Sequence, residues 1–126
     1  MCSIIGCITN SNVSEPIVKG LKKMEYRGYD SVGVATNSGS QILLKKGIGK
    51  VNDVNLNLKL DTMPGHAGIG HTRWATHGRV NKINAHPHLC SDMSIAVVHN
   101  GIIENYSDLR KDLEQNGTIF KSLNCC

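Results

Sequence analysis

The chain has 126 residues, of which 40% are hydrophobic and 19% charged, and its formal net charge is +4. These values are typical of a single globular domain and argue against global disorder. The lysines are scattered and lack interleaved aromatic residues, which argues against a nucleic-acid surface. No apolar run is long enough to cross a bilayer, so no membrane association is expected.

The five cysteines are odd in number and show no C-x-x-C spacing. That pattern argues against both a disulfide framework and a zinc ribbon, and it favours a reducing compartment. Residues 1–9 also lack the basic flank and the length of a signal peptide. The sequence therefore predicts a cytoplasmic location.

The first half of the chain predicts a strand, a helix and a hairpin. Residues 3–9 are apolar and β-branched, typical of a buried strand. Ser14 is the expected cap of a helix that ends at Gly28. Residues 32–36 and 41–45 are strand-like and flank an Asn-Ser-Gly-Ser turn, which predicts a hairpin.

The second half predicts further strands around a long polar loop. Residues 49–63 are ambiguous and fit a short helix. The polar loop expected at residues 75–92 is long, and loops of that length tend to be functional in compact domains. The other expected elements are a strand at 68–74, the polar loop at 75–92, a strand at 93–99, a helix capped by Ser107 and ended by Gly117, and a strand at 118–122.

Cys2 is a candidate nucleophile because only Met1 precedes it, and a small second residue permits removal of the initiator methionine. The thiol and a free α-amine would then share one residue. Amines and thiols of this kind titrate within about one pH unit of each other, so the amine can accept the thiol proton. The competing interpretation is that Cys2 is a small buried hydrophobe.

The segment His-Thr-Arg-Trp-Ala-Thr-His-Gly, residues 71–78, holds the only tryptophan where a strand meets the long loop. There Arg73 would bind a small carboxylate with two hydrogen bonds, and Trp74 would cover that carboxylate and exclude water. Standing alone, the segment fits equally well a surface arginine stacked on a tryptophan at the edge of the core.

Asn100 and Gly101 follow the predicted strand at 93–99. The side-chain amide of Asn100 and the backbone N–H of Gly101 are suitable donors to a developing oxyanion. The alternative is that Asn-Gly is only a turn. At the end of the first helix, residues 26–31 are unusually polar and aromatic for a capping turn, so this segment, with Arg27, is a candidate pocket rim.

Three histidines, His77, His86 and His88, lie close together in the sequence and raise the possibility of a metal site. No carboxylates cluster with them, and their spacing matches no helical or ribbon site. Hydrogen-bonding roles within the loop are favoured over metal binding. The sequence indicates no cofactor.

Five segments in order resemble the N-terminal glutaminase domain of the glutamine–fructose-6-phosphate aminotransferases. The resemblance extends from residue 2 to about residue 122. The other class II amidotransferases share the N-terminal cysteine and an Asn-Gly, but they lack the first two of the longer motifs. The segments are Cys2, Tyr-Arg-Gly-Tyr-Asp-Ser at 26–31, His-Thr-Arg-Trp-Ala-Thr-His-Gly at 71–78, Asn-Ala-His-Pro-His at 84–88 and Val-His-Asn-Gly-Ile-Ile-Glu-Asn at 98–105.

The resemblance implies an α+β fold, the N-terminal-nucleophile αββα sandwich in four layers, of which this chain would form the first half. Cys2 would attack the amide of L-glutamine, with Asn100 and Gly101 forming the oxyanion hole. In the family, the ammonia passes to a second domain that converts fructose 6-phosphate to glucosamine 6-phosphate. The substrate-binding residues implied are Arg73, Trp74, Thr76, His77, His86 and Arg27.

Two positions depart from the family pattern. Ser3 stands where a glycine usually follows the nucleophile, and Cys125 stands where an aspartate would receive the substrate's α-amino group. Residues 2–126 are therefore expected to be a partial glutaminase domain without the synthase domain. Two hypotheses follow: an active glutamine-hydrolysing chain, or a truncated, inactive remnant that is unfolded alone or associates with the missing portions to complete its sheets.

Overall fold

The computed structural model describes residues 1–76 and 79–122. The first 73 residues contain four long strands and two helices, and after them come two strands of two residues each and one helix. In chain order they are β1 (Ser3–Ile8), α1 (Ser14–Met24), β2 (Ser31–Asn37), β3 (Ile42–Ile48), α2 (Val51–Leu58), β4 (Ala67–Arg73), β5 (His88–Leu89), β6 (Ala96–Val97) and α3 (Tyr106–Gln115), with 3₁₀ turns at Glu25–Arg27 and Leu60–Thr62.

The four long strands form one antiparallel sheet in the order β1-β4-β2-β3, and β5 pairs with β6 in a separate ladder. In the sheet, Thr72 of β4 lies between Ser3 of β1 and Val32 of β2. The last residues of β4 therefore lie beside the first residues of both β1 and β2. Three of the motifs recognised in the sequence lie at this corner of the sheet: Cys2, residues 26–31 and residues 71–78.

Both α1 and α2 pack on one face of the sheet and enclose the core. Ile17 and Leu21 of α1 are completely buried, as is Val34 of β2. The helix approaches closely because β4 carries Gly70 opposite it, where a Cβ would lie 2.6 Å from the Cγ2 atom of Ile17. Contact this close leaves little unfilled space, as in other protein cores.

The other face of the sheet is only partly covered. Near one end, the backbone of residues 84–88 lies against Gly33, where a Cβ would collide with the carbonyl oxygen of His86. Toward the other end, Ile8 is 84% exposed, and Ile4, which lies in the same row of the sheet as His71 and Gly33, is 41% exposed. An open cavity of about 440 Å³ on this face is lined mainly by apolar atoms of β1, β2 and β4.

The predicted fold class, α+β with an antiparallel sheet, is confirmed. The described residues form one helical layer and one complete sheet, which is half of the four layers expected. The strands predicted at 3–9 and 68–74, the first helix and the hairpin are confirmed with slightly shifted ends. Among the described residues, no helix is long and apolar enough to span a membrane.

Four local predictions are wrong. Ser14 is the first residue of α1 and not its cap, and its hydroxyl donates to the Asp61 carbonyl at 2.7 Å, while the Asn12 side chain accepts from its N–H. Helix α3 likewise begins before Ser107, after Asn105. The strand expected at 93–99 shrinks to Ala96–Val97, and the strand at 118–122 does not form.

Candidate active site

Cys2 lies at the corner of the sheet directly beside the end of β4. The backbone N–H of Trp74 donates to the Cys2 Sγ atom at 3.2 Å, and the thiol donates to the Trp74 carbonyl at 3.5 Å. The sulfur is partly exposed.

Met1 occupies the space in front of this corner. Its side chain is 72% exposed, and the Arg27 guanidinium lies 2.7 Å from the Met1 sulfur. Together with Tyr26 and Trp74, these residues line an open cleft of about 460 Å³. Two residues of the 26–31 segment, Tyr26 and Arg27, thus line this cleft, and their role as the rim of a substrate pocket stays a prediction.

Gly28 allows the 26–31 segment to pack directly under the N-terminus. A Cβ at this position would lie 2.8 Å from the Met1 carbonyl oxygen and 3.0 Å from the Trp74 nitrogen. Its φ of −179° is ordinary extended backbone, so the requirement for glycine is one of space alone. No larger residue fits without moving the Cys2 corner.

Asp30 ties the same segment to the end of β4. Its backbone N–H donates to the Arg73 carbonyl at 2.9 Å, and its carboxylate accepts from the backbone N–H of Ala75 at 2.6 Å. Sequence reasoning did not single out Asp30 as a site residue. The only signal in the sequence was an acidic residue just before the strand-like residues 32–36.

Arg73 and Trp74 point to different surroundings. Arg73 is only 5% exposed, and its guanidinium donates to the Arg79 carbonyl at 3.3 Å. Trp74 is 43% exposed and meets the edge of the Tyr29 ring with 5.6 Å between ring centroids. Thr76 lies just beyond, exposed to solvent. Their roles in substrate binding stay predictions, and His77 lies outside the described residues.

The two predicted oxyanion-hole residues follow β6. The Oδ1 atom of Asn100 lies 2.7 Å from the Nε2 atom of His71. Gly101 has a φ of +157°, at the edge of the range that side chains rarely adopt. This contact joins Asn100 to β4, the strand whose last residue lies next to the Trp74–Cys2 contact. None of the hydrogen bonds found within the described residues joins Asn100 to Cys2.

His71 belongs to a stack of three histidines on the face of the sheet opposite α1. The rings of His71 and His86 are stacked with centroids 4.6 Å apart, and His88 meets the edge of His86 at 4.5 Å. Lys46 donates to the carbonyls of Ile83, Ala85 and Pro87 and so holds residues 84–88 over the sheet. His86, predicted as a substrate-binding residue, is 4% exposed here.

Burial sets the charge of this stack. It lowers the pKa of His71 to about 4 and that of His86 to about 3, and it lowers the pKa of His88 to about 4. The positive charge of nearby Arg73 acts in the same direction on all three. Desolvation also lowers the pKa of Lys46 to about 8. At neutral pH the imidazoles are therefore uncharged, and each carries one N–H.

The sequence raised a metal site on His77, His86 and His88, of which His77 lies outside the described residues. Within residues 1–76 and 79–122, no three His, Cys, Asp or Glu side chains are arranged to hold a metal ion. His86 and His88 meet as ring contacts, which is packing geometry. The hydrogen-bonding roles favoured from the sequence for His77, His86 and His88 stay predictions.

Sequence comparison finds close relatives over almost the whole chain. The chain is 52% identical over 122 residues to a glutamine–fructose-6-phosphate aminotransferase of Pyrococcus horikoshii and, over the same number of residues, to that of Methanococcus maripaludis. In each case the match covers 97% of this chain and 20% of the relative. The chain thus spans about one fifth of the length of these relatives. No protein-family model matches it.

Solved structures show the same fold. The glutamine phosphoribosylpyrophosphate amidotransferase of Bacillus subtilis, complexed with ADP and GMP, superposes with a TM-score of 0.80 at 28% identity. A second structure, described as the allosteric regulatory enzyme of purine biosynthesis, gives 0.81 at 28% identity. Both matches cover 95% of this chain and 26% of the other.

Proposed function

We propose that this chain, which is related in sequence to the N-terminal part of the glutamine–fructose-6-phosphate aminotransferases, binds L-glutamine and hydrolyses its side-chain amide through Cys2. The observation that carries the proposal is the contact between the Trp74 N–H and the Cys2 sulfur at 3.2 Å. It joins the candidate nucleophile to the arginine-tryptophan motif, two features that are 72 residues apart in sequence.

The proposed reaction begins with removal of Met1, which gives Cys2 a free α-amine. The amine takes the thiol proton, and the sulfur attacks the amide carbon while the carbonyl electron pair moves onto oxygen. The proton then passes to the amide nitrogen, the C–N bond breaks and ammonia leaves. Water cleaves the remaining glutamyl thioester to glutamate and restores the thiol.

Donors after β6 would stabilise the oxyanion of this reaction. The amide nitrogen of Asn100 and the backbone N–H of Gly101 are the groups we propose for that role. Removing one such donor typically costs about 2.7–4 kcal/mol of transition-state stabilisation. The contact of Asn100 with His71 in β4, the strand whose end lies beside Cys2, supports the assignment of Asn100.

Substrate binding would use the groups around the cleft in front of Cys2. Arg73 would bind the substrate carboxylate, with Trp74, Thr76 and His77 beside it. Arg27 lies against Met1 in the present structure, so removal of Met1 would free its guanidinium to face the substrate. A neutral His86 under the sheet corner would act as a hydrogen-bonding partner.

The fate of the ammonia is a further part of the proposal. Because the relatives are aminotransferases of fructose 6-phosphate, we propose that the ammonia serves glucosamine 6-phosphate synthesis in a protein that includes the other four fifths of their length. No cofactor is needed for the hydrolysis itself. A cysteine nucleophile requires a reducing environment, so the proposed location is the cytoplasm.

A second candidate is an inactive remnant of such an enzyme. It is favoured by one observation: the sheet face opposite the helices leaves Ile4 and Ile8 open to water. Apolar patches of this kind usually mark a surface that another polypeptide covers. Thermal unfolding followed by circular dichroism separates the candidates, because a sharp cooperative transition of the isolated chain argues against a remnant that cannot fold alone.

Ammonia release from glutamine tests the proposed function. We expect release by the processed chain, none from Cys2→Ala, and none from a form that retains Met1. Cys7→Ala is the matched control, since Cys7 is a partly buried thiol in β1, the strand that begins directly after Cys2. Activity that persists in Cys2→Ala, or that is lost equally in Cys7→Ala, would contradict an N-terminal nucleophile.

A further inference from the structure

We propose that His71 is a positioning residue for glutamine hydrolysis, holding the Asn100 side chain so that its amide nitrogen is presented to the developing oxyanion. The inference rests on the proposed function. It concerns a residue that contacts neither the substrate nor the nucleophile in the proposed reaction. His71 would act through Asn100 alone.

The contact itself is short and its histidine partner is rigidly placed. The His71 Nε2 and Asn100 Oδ1 atoms are 2.7 Å apart, at the short end of the usual range for N–H···O hydrogen bonds. His71 is 1% exposed and is paired on both sides, with Ile4 in β1 and Gly33 in β2. Asn100 lies outside any strand and is exposed. The ordered partner is therefore the one that can orient the other.

The chemistry of the two groups sets the direction of the amide. An asparagine oxygen only accepts, and its nitrogen only donates. With Oδ1 toward His71, the Nδ2 group faces away from the histidine and keeps both of its N–H bonds for other acceptors. The opposite orientation would present an oxygen to the oxyanion, and two acceptors would repel each other.

The same geometry selects the His71 tautomer. To donate to Oδ1, Nε2 must carry the proton, which leaves a lone pair on Nδ1. That Nδ1 is buried and has no hydrogen-bond partner among the residues that the structure describes. In the other tautomer, a buried N–H would lack an acceptor and the Nε2 lone pair would face Oδ1, so two unfavourable contacts would replace one.

The surroundings of His71 hold this arrangement in place. The His86 ring stacks on it, and Lys46 fixes the backbone that carries His86 through its bond to the Ala85 carbonyl. Gly33 provides the space that lets that backbone reach the sheet. The uncharged imidazole then has a single N–H, which is committed to Asn100.

The kinetic test is a double-mutant cycle on glutamine hydrolysis. We expect His71→Leu to lower kcat roughly 10- to 100-fold, less than the 10²–10³-fold loss typical of removing an oxyanion donor, with little change in KM. In an Asn100→Ala background, His71→Leu should cause no further loss. His71→Gln, which keeps a donor, should recover part of the activity. Losses that multiply in the double variant would overturn the proposal.

Thr72→Val is the matched control for the cycle. Thr72 is the next residue of β4, is equally buried, and lies on the other face of the sheet, where its hydroxyl has no hydrogen-bond partner within residues 1–76 and 79–122. We expect its kcat to equal that of the unaltered chain. A loss in Thr72→Val as large as in His71→Leu would mean that any change in this strand disturbs the site, and would overturn the assignment.

A second readout does not depend on activity. Nitrogen-15 NMR of the unaltered chain at neutral pH reports which nitrogen of His71 carries the proton. Protonation at Nε2 supports the proposed orientation, and protonation at Nδ1 overturns it. If Nε2 is protonated but the chain releases no ammonia, the proposed function fails while the orientation of Asn100 by His71 stands.

Discussion

At the scale of single residues, the candidate site depends on close approach more than on charge. Cys2, Gly28 and Trp74 meet at a corner with no room for an added methyl group, because a Cβ on Gly28 would be 2.8 Å from the nearest backbone atom. Ser3 shows that the corner also tolerates a departure from the family pattern. Its hydroxyl lies 3.5 Å from the Met24 carbonyl, to which it donates.

Gly28→Ala should therefore disturb the site more than an equivalent change elsewhere. We expect a loss of about 1–3 kcal/mol in the free energy of unfolding, as for other overpacked positions, together with slower alkylation of Cys2. Gly6→Ala is the control, because a Cβ there would meet its nearest atoms at an ordinary 4.0 Å. Urea denaturation of both variants measures the difference, and equal stabilities would contradict the steric account.

The histidine stack predicts a loss of stability in acid. His71, His86 and His88 have pKa values lowered to about 4, 3 and 4 in the folded chain, against about 6.5 when unfolded. The unfolded chain thus binds more protons below pH 6.5, so the stabilising contribution is complete above that pH and falls as the pH drops toward 4. Each histidine contributes a slope of at most about 1.4 kcal/mol per pH unit.

Urea denaturation at pH 7.5, 6 and 5 measures this slope. The His86→Gln variant should show a flatter dependence than the unaltered chain, because it removes one of the groups that protonate only on unfolding. The three histidines interact, so their effects are not expected to add. A profile that is equally steep with and without His86 would contradict a stack that is neutral in the folded state.

At the scale of elements, the predictions from sequence held where one periodic pattern ran over a whole segment. The strand β1 and the helix α1 each have such a pattern, and Gly39 and Gly117 adopt the positive φ expected of turn residues. After β4 the chain has little regular structure, so local apolar runs were poor guides. A run such as residues 94–98 forms a full strand only beside a partner strand, and here it pairs over just two residues.

The site was predictable to the extent that it consists of side chains with distinctive chemistry. Cys2 and the arginine-tryptophan motif were recognised, and the structure brings them together. Asp30 and His71 were not recognised as site residues, because they act on the backbone or on another side chain. Such roles depend on which strands are neighbours, and β1, β2 and β4 become neighbours only in the folded sheet.

Asp30 should act as an anchor for the segment after β4. Its carboxylate holds the Ala75 N–H, so Asp30→Ala should loosen the positions of Arg73 and Thr76 and raise the KM for glutamine roughly tenfold. A hydrogen bond to a charged group is worth about 1.5–3 kcal/mol, which makes a shift of that size reasonable. Steady-state kinetics of glutamine hydrolysis measure it.

Asp53→Ala is the control for the Asp30→Ala variant. Asp53 is an exposed acidic residue in the first turn of α2, on the far side of the sheet from the histidine stack. The Asp53→Ala variant should leave the KM for glutamine unchanged. An Asp30→Ala variant that lowers kcat with KM unaltered would show instead that Asp30 acts on the chemical step.

At the scale of the whole molecule, the two faces of the sheet differ in what covers them. The helical face contains the core, with Ile17, Leu21 and Val34 fully buried. The opposite face is covered near the histidine stack and open around Ile8. The chain matches only one fifth of its relatives' length, which fits a sheet with one face built to be covered.

The difference between the faces can be measured directly. Ile17→Ala should lower the free energy of unfolding by about 2–5 kcal/mol, as expected for a large buried aliphatic side chain. Ile8→Thr keeps a β-branched residue in the strand. It should change the free energy of unfolding by less than about 0.5 kcal/mol, because Ile8 is 84% exposed. A large loss in Ile8→Thr would mean that this face is covered in solution.

The most direct test of the proposed nucleophile is the intact mass of the purified chain before and after incubation with a diazoketone analogue of glutamine. The account predicts a species without Met1 that gains one adduct, located on Cys2 by peptide mapping and absent from Cys2→Ala. A chain that loses Met1 but gains no adduct, or that is labelled equally at Cys7 and Cys90, would contradict it.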